Sequence, residues 1–174
     1  MAERSWYWDG TTIGDATIAP YDSDTDFGDI WRYLFTQDRT LMGIIEGVLN
    51  ELAVSGAASP VSVATGAALV DGLFYLNDAV VSVTVPTPAG ATRIDRIVLR
   101  KSWAAQTVRV TRIAGVEGGG APALTQSDGV TWDVPLAQVS ITTLGAITVT
   151  SERVIARSPL GGAGVDILQM RVFN

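Results

Sequence analysis

The chain contains no cysteine and no histidine. Without cysteine there is no disulfide, no thiolate metal site and no thiol nucleophile. Without histidine the usual general base and the commonest metal ligand are missing, so Ser-His-Asp hydrolysis and histidine-ligated zinc cannot be built. Glycoside hydrolysis needs only two carboxylates and survives on composition alone. Charge is also sparse: charged residues are 17% of the sequence, with 12 basic against 18 acidic and a formal net charge of −6. A phosphate backbone is held by clustered positive charge, so nucleic acid is not an expected partner. Gly, Pro, Ser or Asp interrupts every apolar stretch before the about 18 residues of a bilayer span. The opening "MAERSWYWDG" lacks the basic-then-apolar order of a signal peptide. Neither membrane insertion nor a secretory leader is expected, and no cofactor is implied.

What remains is apolar. Hydrophobic residues make up 47% of 174, enough to bury a real core. Three textures divide the chain. Residues 1–55 read as an N-terminal arm with short helices: Ile30, Leu34, then Leu41, Ile44, Ile45, Val48, Leu49 and Leu52 recur at intervals of three or four. Gly43, Gly47 and the charged break "TQDRT" split that pattern into two helical pieces. Residues 56–157 read as an antiparallel β domain, from "PVSVA", "AALVDGLFYL", "AVVSVTV", "RIDRIVLRK", "QTVRVTRIA", "WDVPLAQVSI" and "AITVTSERVI". Val81, Val83 and Val85 alternate with Ser82 and Thr84, and one wet face per strand predicts a β-sandwich or small barrel. Pro135 within its strand predicts an edge or a bulge. The loop "GVEGGGAPALTQSDG" is expected on the surface and mobile. Residues 158–174 read as a Gly-hinged C-terminal arm ending in the apolar run "VDILQMRVF".

Each candidate site has a structural reading beside its functional one. "DSDTDFGD" has the carboxylate density of a calcium loop. Counted from Asp22, however, the sixth position is Phe27 and the twelfth Tyr33, where a calcium loop needs glycine and glutamate. It reads as a solvated turn capping the helix that follows. In "WYWDG", Trp6 and Trp8 share one face of an extended segment with Tyr7 opposite, an aromatic contact for a partner, for the core, or for a sugar ring. In "RIDRIVLRKSW", Asp95 shares a face with Ile97 and Leu99, so once buried it needs a cationic partner, for which Arg109 and Arg153 are the candidates. "GGG" at 118–120 precedes neither a Lys-Ser/Thr pair nor a helix and is no phosphate loop. Asp71, Asp78, Asp95, Asp128 and Asp133 are scattered, and nothing in the sequence pairs two of them as catalytic acids.

Six stretches taken together, "FGDIWRYLF", "GVLNELAVSG", "VSVATGAALVDGLFY", "RIDRIVLRKSWAAQTVRV", "PALTQ" and "VPLAQVSI", resemble in order and spacing a class of phage tail proteins. They fall within residues 27–155. The resemblance implies a virion structural protein, similar to the N-terminal anchoring modules of baseplate, tail-fibre or receptor-binding proteins, assembling as a trimer or ring and carrying no catalytic residues. Fibre proteins of that class continue into a shaft or a receptor-binding head, whereas this sequence ends shortly after the Gly hinge. An adaptor of the tail, tail tip or baseplate is therefore expected, with capsid decoration or a head fibre as the alternative. Its expected partners are copies of itself and other virion proteins, through Trp6, Tyr7, Trp8, Ile167, Leu168, Met170, Val172 and Phe173. A second alternative is a carbohydrate-binding module in which Trp6, Tyr7, Trp8 or Trp103 stacks on a host surface glycan.

Overall fold

The computed structural model describes residues 42–156. Its eleven strands are β1 (Gly43–Ile44), β2 (Val54–Ser55), β3 (Val61–Val63), β4 (Gly66–Val70), β5 (Leu73–Asn77), β6 (Val81–Val83), β7 (Arg93–Ser102), β8 (Thr107–Ile113), β9 (Gln126–Ser127), β10 (Thr131–Ile141) and β11 (Ile147–Ser151). They form three antiparallel sheets, β1-β4-β5, β2-β3-β6 and β11-β10-β7-β8, with β9 also pairing β10. None closes into a barrel. All seven stretches read as β from alternation contain a strand.

The period-two pattern places the core. Along β7, Asp95, Ile97, Leu99 and Lys101 are buried while Arg96 and Arg100 are only partly so. Ile97 and Leu99 meet Val61 and Val63 of β3, Ala68 and Val70 of β4, and Leu136, Val139 and Ile141 of β10 in one cluster fed by all three sheets. Burial of this kind stabilises by roughly 1.5–3 kcal/mol per large aliphatic side chain.

Among the described residues there is no helix, so the helical reading of residues 42–52 is corrected. Gly43 and Ile44 instead form a strand against Leu69 and Ala68. Leu49, Glu51 and Leu52 turn with left-handed backbone at φ of 54°, 52° and 54°. Local spacing loses here to long-range pairing: the Ile44 amide donates to the Val154 carbonyl (2.7 Å), and the Ala156 amide donates to the Ile44 carbonyl (2.8 Å). Gly43 permits that approach, because a Cβ there would run into the Val154 carbonyl. Ile44 and Leu52 are fully buried in the core while Leu49 is exposed. The boundary expected at residue 55 therefore moves toward the N-terminus, since β1 and β2 belong to the sheets. The helical piece expected over residues 23–41 lies outside the described residues.

Pro135 takes the bulge alternative. β10 lies between β7 and β11, and its register against β7 slips between Pro135 and Ala137. On its other side β9 pairs only Thr131 and Trp132 and β11 pairs only from Ala137 onward. A residue without an N–H falls where the ladder asks for none.

Candidate interaction surface

The buried charges of the β unit hold it together. Asp95 is fully buried and accepts from Arg93 Nε (2.7 Å) and Nη2 (3.0 Å), Arg112 Nη1 (2.6 Å) and the Gly115 amide (2.9 Å). The expected partners are corrected. Arg109 donates to the Val108 carbonyl, while Arg153 donates to the Glu51 carbonyl and lies 3.5 Å from its carboxylate. Burial opposes ionisation of Asp95, but the hydrogen bonds from Arg93, Gly115 and Arg112 outweigh it and hold the carboxyl below its ordinary range. A depressed folded-state value stabilises above the unfolded carboxyl's pKa of about 3.9, and the contribution is lost as pH falls through the folded value. Asp95→Asn is expected to cost about 3 kcal/mol at neutral pH. Its deficit against the wild type should shrink in the acid range, as read from urea denaturation at neutral pH and near pH 3.

Two further pairs repeat the design. Asp133, fully buried, accepts from Arg100 Nε and Nη2 (2.7 and 2.9 Å), its cross-strand neighbour on β7, and from the Thr125 amide (2.9 Å). Burial lowers the Arg100 pKa somewhat, yet the hydrogen bond to Asp133 dominates and raises it. Lys101 donates to both the carbonyl (2.9 Å) and carboxylate (3.2 Å) of Asp71. The glycine-rich loop is on the surface, as its composition predicts, and is tied at several points. Glu117 accepts from the amides of Ala89, Gly90 and Ala91, which hold its carboxyl below the usual range, and the Gly118 amide donates to Thr92. Asp71, Asp95 and Asp133 thus each face a cation, an arrangement suited to holding strands.

The outer surface differs in character. β5 is the last strand of its sheet, paired only with β4, and reads Leu-Phe-Tyr-Leu-Asn without a charge. Leu73 and Tyr75 pack on the core, so alternation turns Phe74 and Leu76 outward, 60% and 54% exposed. Opposite β5 runs β8, likewise an end strand. An open groove of about 350 Å³ lies between Leu73–Leu76 on one side and Gln106–Arg109 on the other. Burial raises the Tyr75 hydroxyl pKa and the nearby Arg109 opposes that shift. An unpaired strand edge presents backbone N–H and C=O groups to any extended chain, and uncharged edges are those least protected against such pairing.

Sequence reading missed this surface. "VDGLFYLN" held the signal: Asp-Gly is a two-residue hairpin turn, and the strand after it is apolar on both faces. Asp71 and Gly72 have φ of 44° and 80°, the left-handed pair such a turn requires. Trp6, Tyr7, Trp8, Ile167, Leu168, Met170, Val172 and Phe173 lie outside the described residues, as does "DSDTDFGD". Trp103, proposed for sugar stacking, has the Lys101 ammonium 4.0 Å from its ring centroid. Among the described residues there is no cluster of three potential metal ligands and no helix long and apolar enough to cross a membrane. No family model, curated protein or solved structure matches the chain.

Proposed function

We propose that the chain is a bacteriophage virion structural protein, a non-catalytic adaptor of the tail, tail tip or baseplate that joins copies of itself to neighbouring subunits or fibres. The observation that bears most on this reading is the uncharged free edge of β5 with Phe74 and Leu76 facing water. Covering each of those side chains would return about 1.5–3 kcal/mol, and a subunit meant to be covered keeps such surface where a free monomer would place charge. The layering of the sheets as a sandwich suits the role, because it leaves strand edges where a closed barrel would have none.

The path of the chain suits it as well. Ile44 and Ile155 form a parallel bridge. The chain therefore enters the unit through Met42 at one end of that bridge and leaves through Ala156 at the other. Entry and exit at the two ends of that bridge leave the chain on either side free to hold a different neighbour, as an adaptor must. Light scattering and negative-stain images of the full chain are expected to give a closed trimer or ring. A monodisperse monomer across the micromolar range would overturn the reading.

A further inference from the structure

We infer that the groove between β5 and β8 is a strand-acceptor slot, and that its occupant is the C-terminal run Val165–Phe173 of a second copy of this chain. This rests on the assembly reading above and names the partner that the exposed edge receives.

The slot has what a donated strand needs. β5 and β8 each have a neighbour on one side only, so each has a free backbone edge, and residues of both line the groove. Neither contains proline, neither is bulged, and their sole pairings, with β4 and β7, run in unbroken register. A strand laid between them would satisfy both edges at once and join two sheets that now end beside each other. Its side chains would alternate, one face toward the core beside Tyr75 and the other flanking Phe74 and Leu76.

The occupant follows from composition, charge and reach. In an extended run from Val165, Leu168, Met170 and Val172 fall on one side, and the only charges are Asp166 and Arg171. On the acceptor side the groove residues carry one charge, Arg109. Among the described arginines Arg109 alone makes no salt bridge, whereas Arg93, Arg96, Arg100, Arg112 and Arg153 all do. Asp166 is its complement. The described chain ends at Ala156, next to β1, and residues 157–164, with three glycines, separate it from the run. Fully extended they span about 28 Å. From Ile155 across β1, β4 and β5 to the slot is four strand spacings, about 19 Å. The linker is long enough to reach the slot of its own subunit, and that of a second copy whose slot lies within the same span. Folding back would close both edges within one chain and leave a neighbour only the outward face of Phe74 and Leu76. Donation to a second copy uses a different surface on giver and receiver, the heterologous contact from which rings and trimers are built.

The chain has no native thiol, so introduced cysteines report cleanly. Leu76→Cys and Leu168→Cys chains, purified separately and mixed under mild oxidation, are expected to yield a disulfide-linked dimer whose peptide map joins positions 76 and 168. Arg109→Glu is expected to weaken self-association at least about tenfold, and adding Asp166→Arg to the same chain should restore it. A 76–168 link found only within single chains of the doubly substituted protein would overturn donation between copies. An oligomer retained with no such link, and indifferent to Arg109→Glu, would overturn the slot while leaving the assembly reading intact. A full chain that stays monomeric would remove both.

Discussion

Replacing Lys101 by methionine is expected to lower the unfolding free energy by about 3–5 kcal/mol, the range for removing one partner of a buried ion pair. Lys101 is the only lysine in the sequence and is 1% exposed. Lysine is strongly hydrated and is among the residues least often buried without a partner, so its position in the core has to be compensated. Three contacts do so: the Asp71 carbonyl at 2.9 Å, the Asp71 carboxylate at 3.2 Å and the face of Trp103 at 4.0 Å. Methionine nearly matches the length of the side chain and fills the same space, so loss of packing is a minor part of the cost. What remains is a fully buried Asp71 carboxylate deprived of its ammonium. The pair pins the tip of the β4–β5 hairpin onto β7, so the loss should loosen β5, the strand whose edge is proposed to meet a neighbour.

A second substitution separates charge from shape. Asparagine adopts left-handed backbone as readily as aspartate, so Asp71→Asn keeps the Asp-Gly type of turn while removing the negative charge. Lys101→Met with Asp71→Asn is expected to recover most of the stability lost in Lys101→Met alone, since a neutral amide is far cheaper to bury than a lone carboxylate. Urea midpoints of the two single variants and the double variant close the cycle. Additive losses would show that the two side chains do not act as a pair. A cost below about 1 kcal/mol for Lys101→Met would place the pair in the energetic range of solvent-exposed bridges.

Much of this architecture can be read from alternation. Asp95, Ile97 and Leu99 share a face in the sequence and are buried together in the fold, and one more step of the same alternation leads to Lys101. Which cations meet Asp95 cannot be read that way. Arg112 reaches it because β8 pairs with β7 in a register that sets Arg112 opposite Ile97, one step along the same face. Arg93 reaches it from two residues earlier on its own strand. Register is a property of two strands, and a single strand's pattern does not contain it. The misreading of residues 42–52 has the same origin. Ile44, Ile45, Val48, Leu49 and Leu52 satisfy a helical period, but the partners that draw Ile44 into a sheet are Ala68 and Ile155, both far away in sequence. The two faces of β5 were open to sequence reading in principle, since an Asp-Gly turn followed by an unrelieved apolar strand is a local signal. That its edge would be free depends on which strand lies beyond it, and this again is non-local.

Deleting residues 165–174 is expected to abolish assembly and leave the β unit folded. Folding should survive because the core cluster runs from Ile44 to Ile147 and its buried ion pairs close within the same span. Assembly should fail on magnitude. Covered against the outward side chains Phe74 and Leu76, the face that the 76–168 link reports, Leu168, Met170 and Val172 would return at most roughly 1.5–3 kcal/mol each, about 5–9 kcal/mol per arm, before any backbone pairing is counted. Association must first overcome about 4–15 kcal/mol of lost translational and rotational freedom, so little surplus would remain without the arm. At 1.4 kcal/mol per decade, even the lower figure is more than three orders of magnitude in Kd. Serine at positions 168, 170 and 172 should reproduce the deletion with the backbone retained, whereas Gln169→Ser, on the opposite face of an extended run, should leave assembly intact. Sedimentation velocity of the three proteins beside the wild type, with circular dichroism to follow the β signal, reads both halves of the expectation. A truncated chain that sediments as the full oligomer would show that the subunits are joined by other surfaces, with the outward face of β5 at Phe74 and Leu76 the first to examine.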